Sequence, residues 1–145
     1  MGAEQGKPEA YREKTNCGAA LRLAGAEDFD PAQATETLGI CPGRVWRKGD
    51  AIRNTGRRYS YTVWTYEIAA TETLDLADVA KQLERVFAGK AEQLRRLKER
   101  YGLYISIDFV VRIEDGETPA VHFDEDFLAF AAAVGAEIDV DLYMD

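Results

Sequence analysis

The chain has 145 residues, 46% of them hydrophobic, and a formal net charge of −8, which fits a single domain with a sizeable core. No apolar run approaches the roughly 20 residues of a membrane-spanning helix, and the N-terminal residues lack the apolar stretch of a signal peptide. We therefore expect a cytoplasmic protein that enters no membrane. The acidic balance argues against nucleic acid as a partner, because a polyanion would be repelled at long range.

Residues 1–17 are polar and show no sustained hydrophobic period, so we predict a flexible N-terminal tail there. A single α+β domain is predicted over residues 18–145. It opens with a strand at 19–24, where leucines alternate with a polar residue. Asp30-Pro31 then has the form of a helix start, a capping carboxylate followed by proline, and we expect this helix to run to Leu38.

Residues 38–50 combine a helix end, a turn and a short strand, which indicates a fixed local structure. Glycine at a helix end readily adopts the left-handed conformation, and a Pro-Gly pair favours the turn. We expect Trp46 to pack against the sheet, so that Trp46→Ala would cost about 3 to 5 kcal/mol of stability. The residues of this structural motif, together with a tryptophan in the next strand, are Leu38, Gly39, Pro42, Trp46, Gly49, Asp50 and Trp64.

The middle of the chain contains two predicted strands and a long helical stripe. β-branched and aromatic residues at 59–68 predict one strand, and clean alternation at 103–113 predicts another with one buried face. Between them, apolar residues recur with helical spacing over 76–101. Gly89 interrupts this stripe, so it forms either one bent helix or two successive helices.

The C-terminal part is predicted to contain a short strand at 119–123, a helix at 125–134 capped by Asp124, and a final strand at 136–144. Together, the elements predict an α+β two-layer sandwich, in which a mainly antiparallel sheet is covered on one face by helices. The first part of the chain has the order of a ferredoxin-like split unit.

Two segments of the chain differ strongly in charge. Residues 44–58, the basic segment, hold six basic residues and one acidic residue, with Trp46 among them and Tyr59 and Tyr61 following directly. From Glu114 onward there are ten acidic residues and no Lys or Arg. The basic segment is a candidate site for a small anion or another small ligand. Its ligand-binding residues would be Arg44, Arg47, Lys48, Arg53 and Arg58.

Four carboxylates are predicted to share one outward face of the sheet: Asp108, Glu137, Asp139 and Asp141. Such a cluster has the oxygen ligands that Mg²⁺ or Ca²⁺ would need. We favour cross-strand ion pairs with Arg22 and Arg112 instead, because the alternation of their strands also points these arginines outward.

No set of residues has the spacing of a catalytic or cofactor site. His122 stands beside acidic residues, but Asp124 is already explained as a helix cap, so a hydrolase that uses His122 ranks third among the functions. Cys17 and Cys41 are expected to be free thiols, and their spacing from the histidine is not that of a zinc site. We therefore predict no catalytic residue, no metal and no cofactor.

These observations favour a non-enzymatic protein-interaction module, with a small-anion or small-ligand-binding domain as the alternative. The sequence leaves the identity of the protein partner open. A homodimer is also predicted, because Tyr104, Val110 and Tyr143 make the outward face of the sheet apolar enough to favour a second copy.

Over residues 19–145, the chain resembles a bacterial family catalogued as a domain of unknown function, DUF4279. In the family pattern a hydroxyl residue follows the proline of the turn, and Gly43 stands in its place here. The resemblance implies a small bacterial cytosolic protein with one domain, and it implies no activity or catalytic residue. It rests on Leu38-Gly39, Pro42, Trp46, Lys48-Gly49-Asp50, Trp64 and the closing segment 122–143.

Overall fold

The computed structural model describes residues 14–26 and 28–144. This part of the chain contains seven strands and four helices. In chain order they are β1 (Asn16–Gly25), α1 (Pro31–Leu38), β2 (Arg44–Trp46), β3 (Ala51–Ile52), β4 (Arg57–Arg58), β5 (Thr62–Glu72), α2 (Ala77–Val86), α3 (Ala91–Tyr101), β6 (Tyr104–Ile113), α4 (Glu125–Val134) and β7 (Ala136–Met144).

Five of these strands form one sheet in the order β2-β5-β1-β6-β7. Its neighbouring pairs are antiparallel except β6 and β7, which run parallel. Four strands of this sheet, β1, β2, β5 and β6, have the order of a ferredoxin-like split unit. Helix α1 follows β1, and helices α2 and α3 precede β6. Helix α4 then supplies the crossover that a parallel pair requires, and β7 extends the sheet beside β6.

Helices cover one face of this sheet, which confirms the predicted α+β two-layer sandwich. Alternate residues of the central strands, among them Leu21, Trp64 and Ile107, are fully buried on that side. They pack in one cluster with helix residues such as Leu83 and Leu94. The hydrophobic core therefore lies between the sheet and the helices, as the alternation at 103–113 predicts.

Local capping sets the helix boundaries. Asp30 Oδ1 accepts a hydrogen bond from the backbone N–H of Ala32 at 3.0 Å, and Asp124 Oδ1 accepts one from Phe127 at 2.9 Å. Gly89 has a φ of 76° and lies between α2 and α3, so the stripe over 76–101 forms two successive helices.

The predicted strand at 119–123 is wrong. This segment is irregular, and Ala120 forms only a single bridge, with Asp75. The N–H of Ala120 donates to the carbonyl of Leu74 at 2.8 Å, and its carbonyl accepts from Leu76 at 3.0 Å. Both backbone groups are thus used in the approach to α2, and the preceding proline has no N–H with which to continue a ladder.

Strand β1 begins before the predicted start of the domain at residue 18. Its first residue is Asn16, and Thr15 is already buried, with its hydroxyl donating to the carbonyl of Glu117. Residues 14–17 are therefore part of the folded unit. Residues 1–13 of the predicted tail lie outside the described residues.

Strand β5 is displaced along the chain from the prediction at 59–68. Tyr59 is held in the preceding turn, since its N–H donates to the carbonyl of Asp50 at 2.9 Å. At the other end β5 continues to Glu72, where it pairs with the start of β1. Residues 51–58 of the basic segment, between β2 and β5, form the small β3–β4 hairpin. Its strands have two residues each, too few for a hydrophobic period to be recognised in the sequence.

Candidate functional site

The face of the sheet opposite the helices is the outer face. The register of β1 with β6, and of β6 with β7, places a mixed set of charged and aromatic side chains on it. Its members on these three strands include Arg22, Tyr104, Asp108, Val110, Arg112, Glu137, Asp139, Asp141 and Tyr143.

The four predicted carboxylates do come together on the outer face. Asp108 lies directly opposite Asp139, whereas Asp141 pairs with Val110 one step along the strands. Glu137 accepts a hydrogen bond from the hydroxyl of Tyr104 at 2.9 Å. This group of Asp108, Glu137, Asp139 and Asp141 is the acidic row, and its like charges oppose one another across two neighbouring strands.

The two outer arginines do not pair closely with the acidic row. The ion pairs found among the described residues include neither Arg22 nor Arg112. The guanidinium of Arg112 instead lies over the ring of Tyr143, 5.0 Å from its centroid. The predicted cross-strand ion pairs are therefore not formed as close contacts, although the charge of Arg22 still acts on Asp108.

The pKa of Asp108 is raised, and burial is the largest cause. Burial raises the pKa of its carboxyl, a hydrogen bond from Ser106 and the charge of Arg22 lower it, and Asp139 and Asp141 raise it again, with a net upward shift. At the start of the same strand, β6, the hydrogen bond to Glu137 raises the pKa of Tyr104. Neighbouring negative charge adds to both shifts, but the largest cause is burial for Asp108 and the hydrogen bond to Glu137 for Tyr104.

Strand β7 forms one edge of the sheet. It spans nine residues and pairs only with β6 among the described strands. Leu142, Tyr143 and Met144 at its end are 59%, 48% and 73% exposed. A long edge strand with exposed apolar side chains offers unpaired backbone groups to another chain, whereas the carboxylates on its outer side discourage pairing with a like-charged strand.

A second feature of the outer face is a cavity of about 550 Å³ at the end of the sheet where β1 finishes and β6 begins. Two tyrosines, Tyr61 and Tyr104, and the guanidinium of Arg22 are its large lining groups. Small residues leave the space open between them. They are Ala24, Gly25, Ala26 and Gly102.

The basic segment lies at the opposite edge of the sheet, on β2 and the β3–β4 hairpin. Arg44 pairs with Glu67 at 2.8 Å, and Arg47 pairs with Asp30 at 3.1 Å. Arg58 donates to the carbonyl of Gly49 at 2.7 Å. All five predicted ligand-binding residues are exposed. Contacts within the protein already engage the guanidinium groups of Arg44, Arg47 and Arg58.

The structural motif around Trp46 organises this edge. Trp46 is half-buried and stacks on Tyr59, with ring centroids 4.9 Å apart, while Arg44 lies over its ring at 5.8 Å. The side chain of Asp50 accepts a hydrogen bond from the backbone N–H of Arg47 at 2.9 Å. Gly49 has a φ of 93°, which explains the glycine at this turn.

The remaining motif residues belong to the core and its boundaries. Trp64 is fully buried, and its indole N–H donates to Thr35 Oγ1 at 3.0 Å. Leu38 is also fully buried, and Gly39 ends α1 with a φ of 68°. Pro42, which precedes β2, is half-buried.

His122 is exposed in the irregular segment before α4, and the neighbouring Asp124 is engaged as the helix cap. Among residues 14–26 and 28–144, no group of three or more His, Cys, Asp or Glu side chains is arranged to hold a metal ion. Both cysteines are free thiols, as predicted. Burial, followed by the charges of Asp78 and Asp75, raises the pKa of Cys17.

The lining of the cavity was not predicted as a site from the sequence. Tyr61 precedes β5, Gly102 ends α3, and Ala26 follows β1, so no local motif links them. The one available signal was the outward position of Arg22 and Tyr104 in their strands. Only the pairing of β1 with β6 reveals that these two side chains line the same cavity.

A family model with the description "Domain of unknown function (DUF4279)" matches residues 13–145. No curated protein matches the chain, and no solved structure does. In the part of the chain that the structure describes, each helix is too short or too polar to cross a membrane.

Proposed function

The chain belongs to the family described as a domain of unknown function, DUF4279, and we propose that it is a non-enzymatic protein-interaction module that binds a basic partner at the edge strand β7. The partner is an extended segment of another protein, rich in Lys or Arg. We further propose that the two proteins meet in the bacterial cytosol, as the resemblance to this family implies.

The observation that carries this proposal is the character of β7. Nine residues of edge strand offer backbone groups for an added strand, and main-chain hydrogen bonds would give such a complex its affinity. The exposed side chains of Leu142 and Met144 would bury apolar area against the added segment. Edge addition therefore provides both the register and part of the binding energy.

Charge complementarity selects a basic partner. Glu137, Asp139 and Asp141 alternate along β7, two residues apart, and project from the same side of the strand. A partner strand with Lys or Arg at alternate positions would place its charges opposite these carboxylates. An acidic or neutral strand would leave the acidic row uncompensated, so charge provides specificity while the edge provides affinity.

The proposal is tested with a synthetic peptide of about eight residues in which Lys and Val alternate. We expect hydrogen-exchange protection to rise at backbone amides of β7 when the peptide is added. The matched peptide in which Glu replaces each Lys should give no protection.

The protein variant for this test combines Asp139→Lys with Asp141→Lys. A matched control, Glu92→Lys with Glu99→Lys, makes the same change in net charge on exposed positions of α3. We expect the first variant no longer to bind the Lys-Val peptide. The control should retain most of its affinity for that peptide. Equal weakening in both variants would mean that net charge alone attracts the peptide, and protection outside β7 would also contradict the proposal.

A further inference from the structure

The cavity on the outer face is separate from the β7 edge and carries its own chemistry. Its volume of about 550 Å³ lies within the range of sites that hold small molecules. Tyr61 and Tyr104 are 60% and 49% exposed, so both rings have a free surface. The register places Tyr104 opposite Ala24, whose methyl group is too small to fill the space beside the ring.

The polar group of the cavity is Arg22. It lies opposite Thr65 on β5 and opposite Ser106 on β6, in the middle of the outer face. The hydrogen bonds and ion pairs of the described residues leave its guanidinium without a close partner, and Asp108 is the carboxyl that its charge influences. A guanidinium offers five N–H donors in a planar fork, which matches the two oxygens of a carboxylate.

Thr65 adds a second unsatisfied group beside Arg22. Its hydroxyl oxygen is buried and has no hydrogen-bond partner among the described residues, and the residue is only 4% exposed. A buried hydroxyl without a partner is unfavourable, and such groups are uncommon in folded proteins. Two neighbouring side chains on the outer face thus have unused hydrogen-bonding capacity, and one of them, Arg22, lines the cavity.

We infer that this cavity binds a small organic monoanion, with a carboxylate at Arg22 and a planar apolar body between Tyr61 and Tyr104. The tyrosine rings provide faces and edges against which a flat ring packs favourably. Arg22 is the one cationic side chain in the lining of the cavity, so a ligand with a single negative charge is favoured. The nearby carboxyls of Asp108 and Glu137 disfavour a second, so a carboxylate binds more tightly than a phosphate dianion.

The test adds benzoate, benzamide or phenyl phosphate to the 145-residue protein and follows its backbone amides by NMR. We expect benzoate to shift the amides of Ala24–Gly25–Ala26 and Gly102 in a saturable way. Benzamide has the same shape without the charge, and we expect it to bind at least about tenfold more weakly. Phenyl phosphate should also bind more weakly than benzoate.

The variant Arg22→Gln should weaken benzoate binding by about tenfold or more, whereas Arg112→Gln, an outer arginine placed over Tyr143, should leave it unchanged. Ala26→Trp provides a second variant, since this exposed residue lines the cavity and a large side chain there would fill it. Benzoate shifts that persist in both variants, or a titration that moves no amide of the cavity, overturns the inference. So does benzamide binding as tightly as benzoate.

Discussion

The two tryptophans differ in what surrounds them. Trp64 is fully buried among core residues and donates a hydrogen bond to Thr35, whereas Trp46 is half-buried and stacks mainly on Tyr59. The sequence pattern groups both in one structural motif and predicts that Trp46→Ala loses as much stability as the truncation of a fully buried side chain. The structure divides their roles, because burial depends on what covers a strand and not on the strand alone.

We expect Trp64→Ala to lower the free energy of unfolding by about 3 to 5 kcal/mol, because it opens a cavity and leaves Thr35 without its donor. Trp46→Ala should cost only about 1 to 2 kcal/mol, since it removes one aromatic stack and partial burial. Urea denaturation of both variants measures the difference. Equal losses would show that Trp46 contributes as a core residue.

The raised pKa of Asp108 predicts how the stability of the fold depends on pH. Because its pKa is raised above the ordinary 3.8 in the folded state, chiefly by burial, ionisation of this carboxyl opposes folding. The contribution of the Asp108 carboxyl to the free energy of unfolding is complete below its ordinary pKa. This contribution is lost as the pH rises through the pKa of Asp108 in the folded protein. Arg22 offsets part of this loss, whereas Asp139 and Asp141 increase it.

Asp108→Asn should therefore melt at a higher temperature than the natural protein around pH 7, and the gain should shrink as the pH falls towards about 3. Thermal melts of both proteins over this range provide the measurement. The control Glu72→Gln removes the same charge from an exposed position at the end of β5. A gain that is independent of pH, or the same gain in the control, would assign the effect to something other than Asp108 ionisation.

At the scale of elements, capping residues and alternation make most boundaries predictable. The starts of α1 and α4 follow from Asp30 and Asp124, which bond the first free N–H groups of their helices. The segment 119–123 shows the limit of such patterns, because a strand exists only if another strand pairs with it. There the backbone groups of Ala120 are used by the turn into α2.

The N-cap of α4 offers a direct test at this scale. Asp124→Ala should lower stability by about 1 kcal/mol, because the backbone N–H of Phe127 loses its acceptor. Asp124→Asn keeps an acceptor oxygen and should retain most of the stability. Chemical denaturation compares the three proteins, and an asparagine variant as unstable as the alanine variant would exclude the capping role.

For the whole molecule, the order of the sheet separates opposite charges. The basic segment lies on β2 at one edge, and the acidic row lies on β6 and β7 at the other. A twofold axis along β1, between two outer faces, would place the basic edge of one copy on the acidic edge of the other. A twofold axis perpendicular to the strands would instead place the acidic row of one copy on the acidic row of the other.

We therefore expect the isolated protein to form a weak dimer at micromolar concentration in low salt. The dimer should dissociate when salt is added, because exposed charge pairs are screened. Light scattering at low and high ionic strength determines the mass. A monomer under both conditions contradicts the prediction, and a dimer that resists salt would require an apolar contact between the two copies instead.

The sequence by itself determined the features that depend on neighbours along the chain. Helix caps, the break at Gly89 and the inward and outward sides of β6 and β7 are local, since each follows from the geometry of a few consecutive residues. The α+β class follows from the same patterns. The acidic row was also predictable as a set, because its members alternate within strands.

Only the tertiary structure decided which strands are neighbours and which edge stays open. The parallel addition of β7, the absence of a strand at 119–123 and the cavity formed by Arg22, Tyr61 and Tyr104 all depend on pairings between residues far apart in sequence. Periodicity states which side of a strand faces the core, but it contains no information on the strand's partner. Sites built from several elements therefore become visible only when hydrogen bonding between strands fixes their order and register.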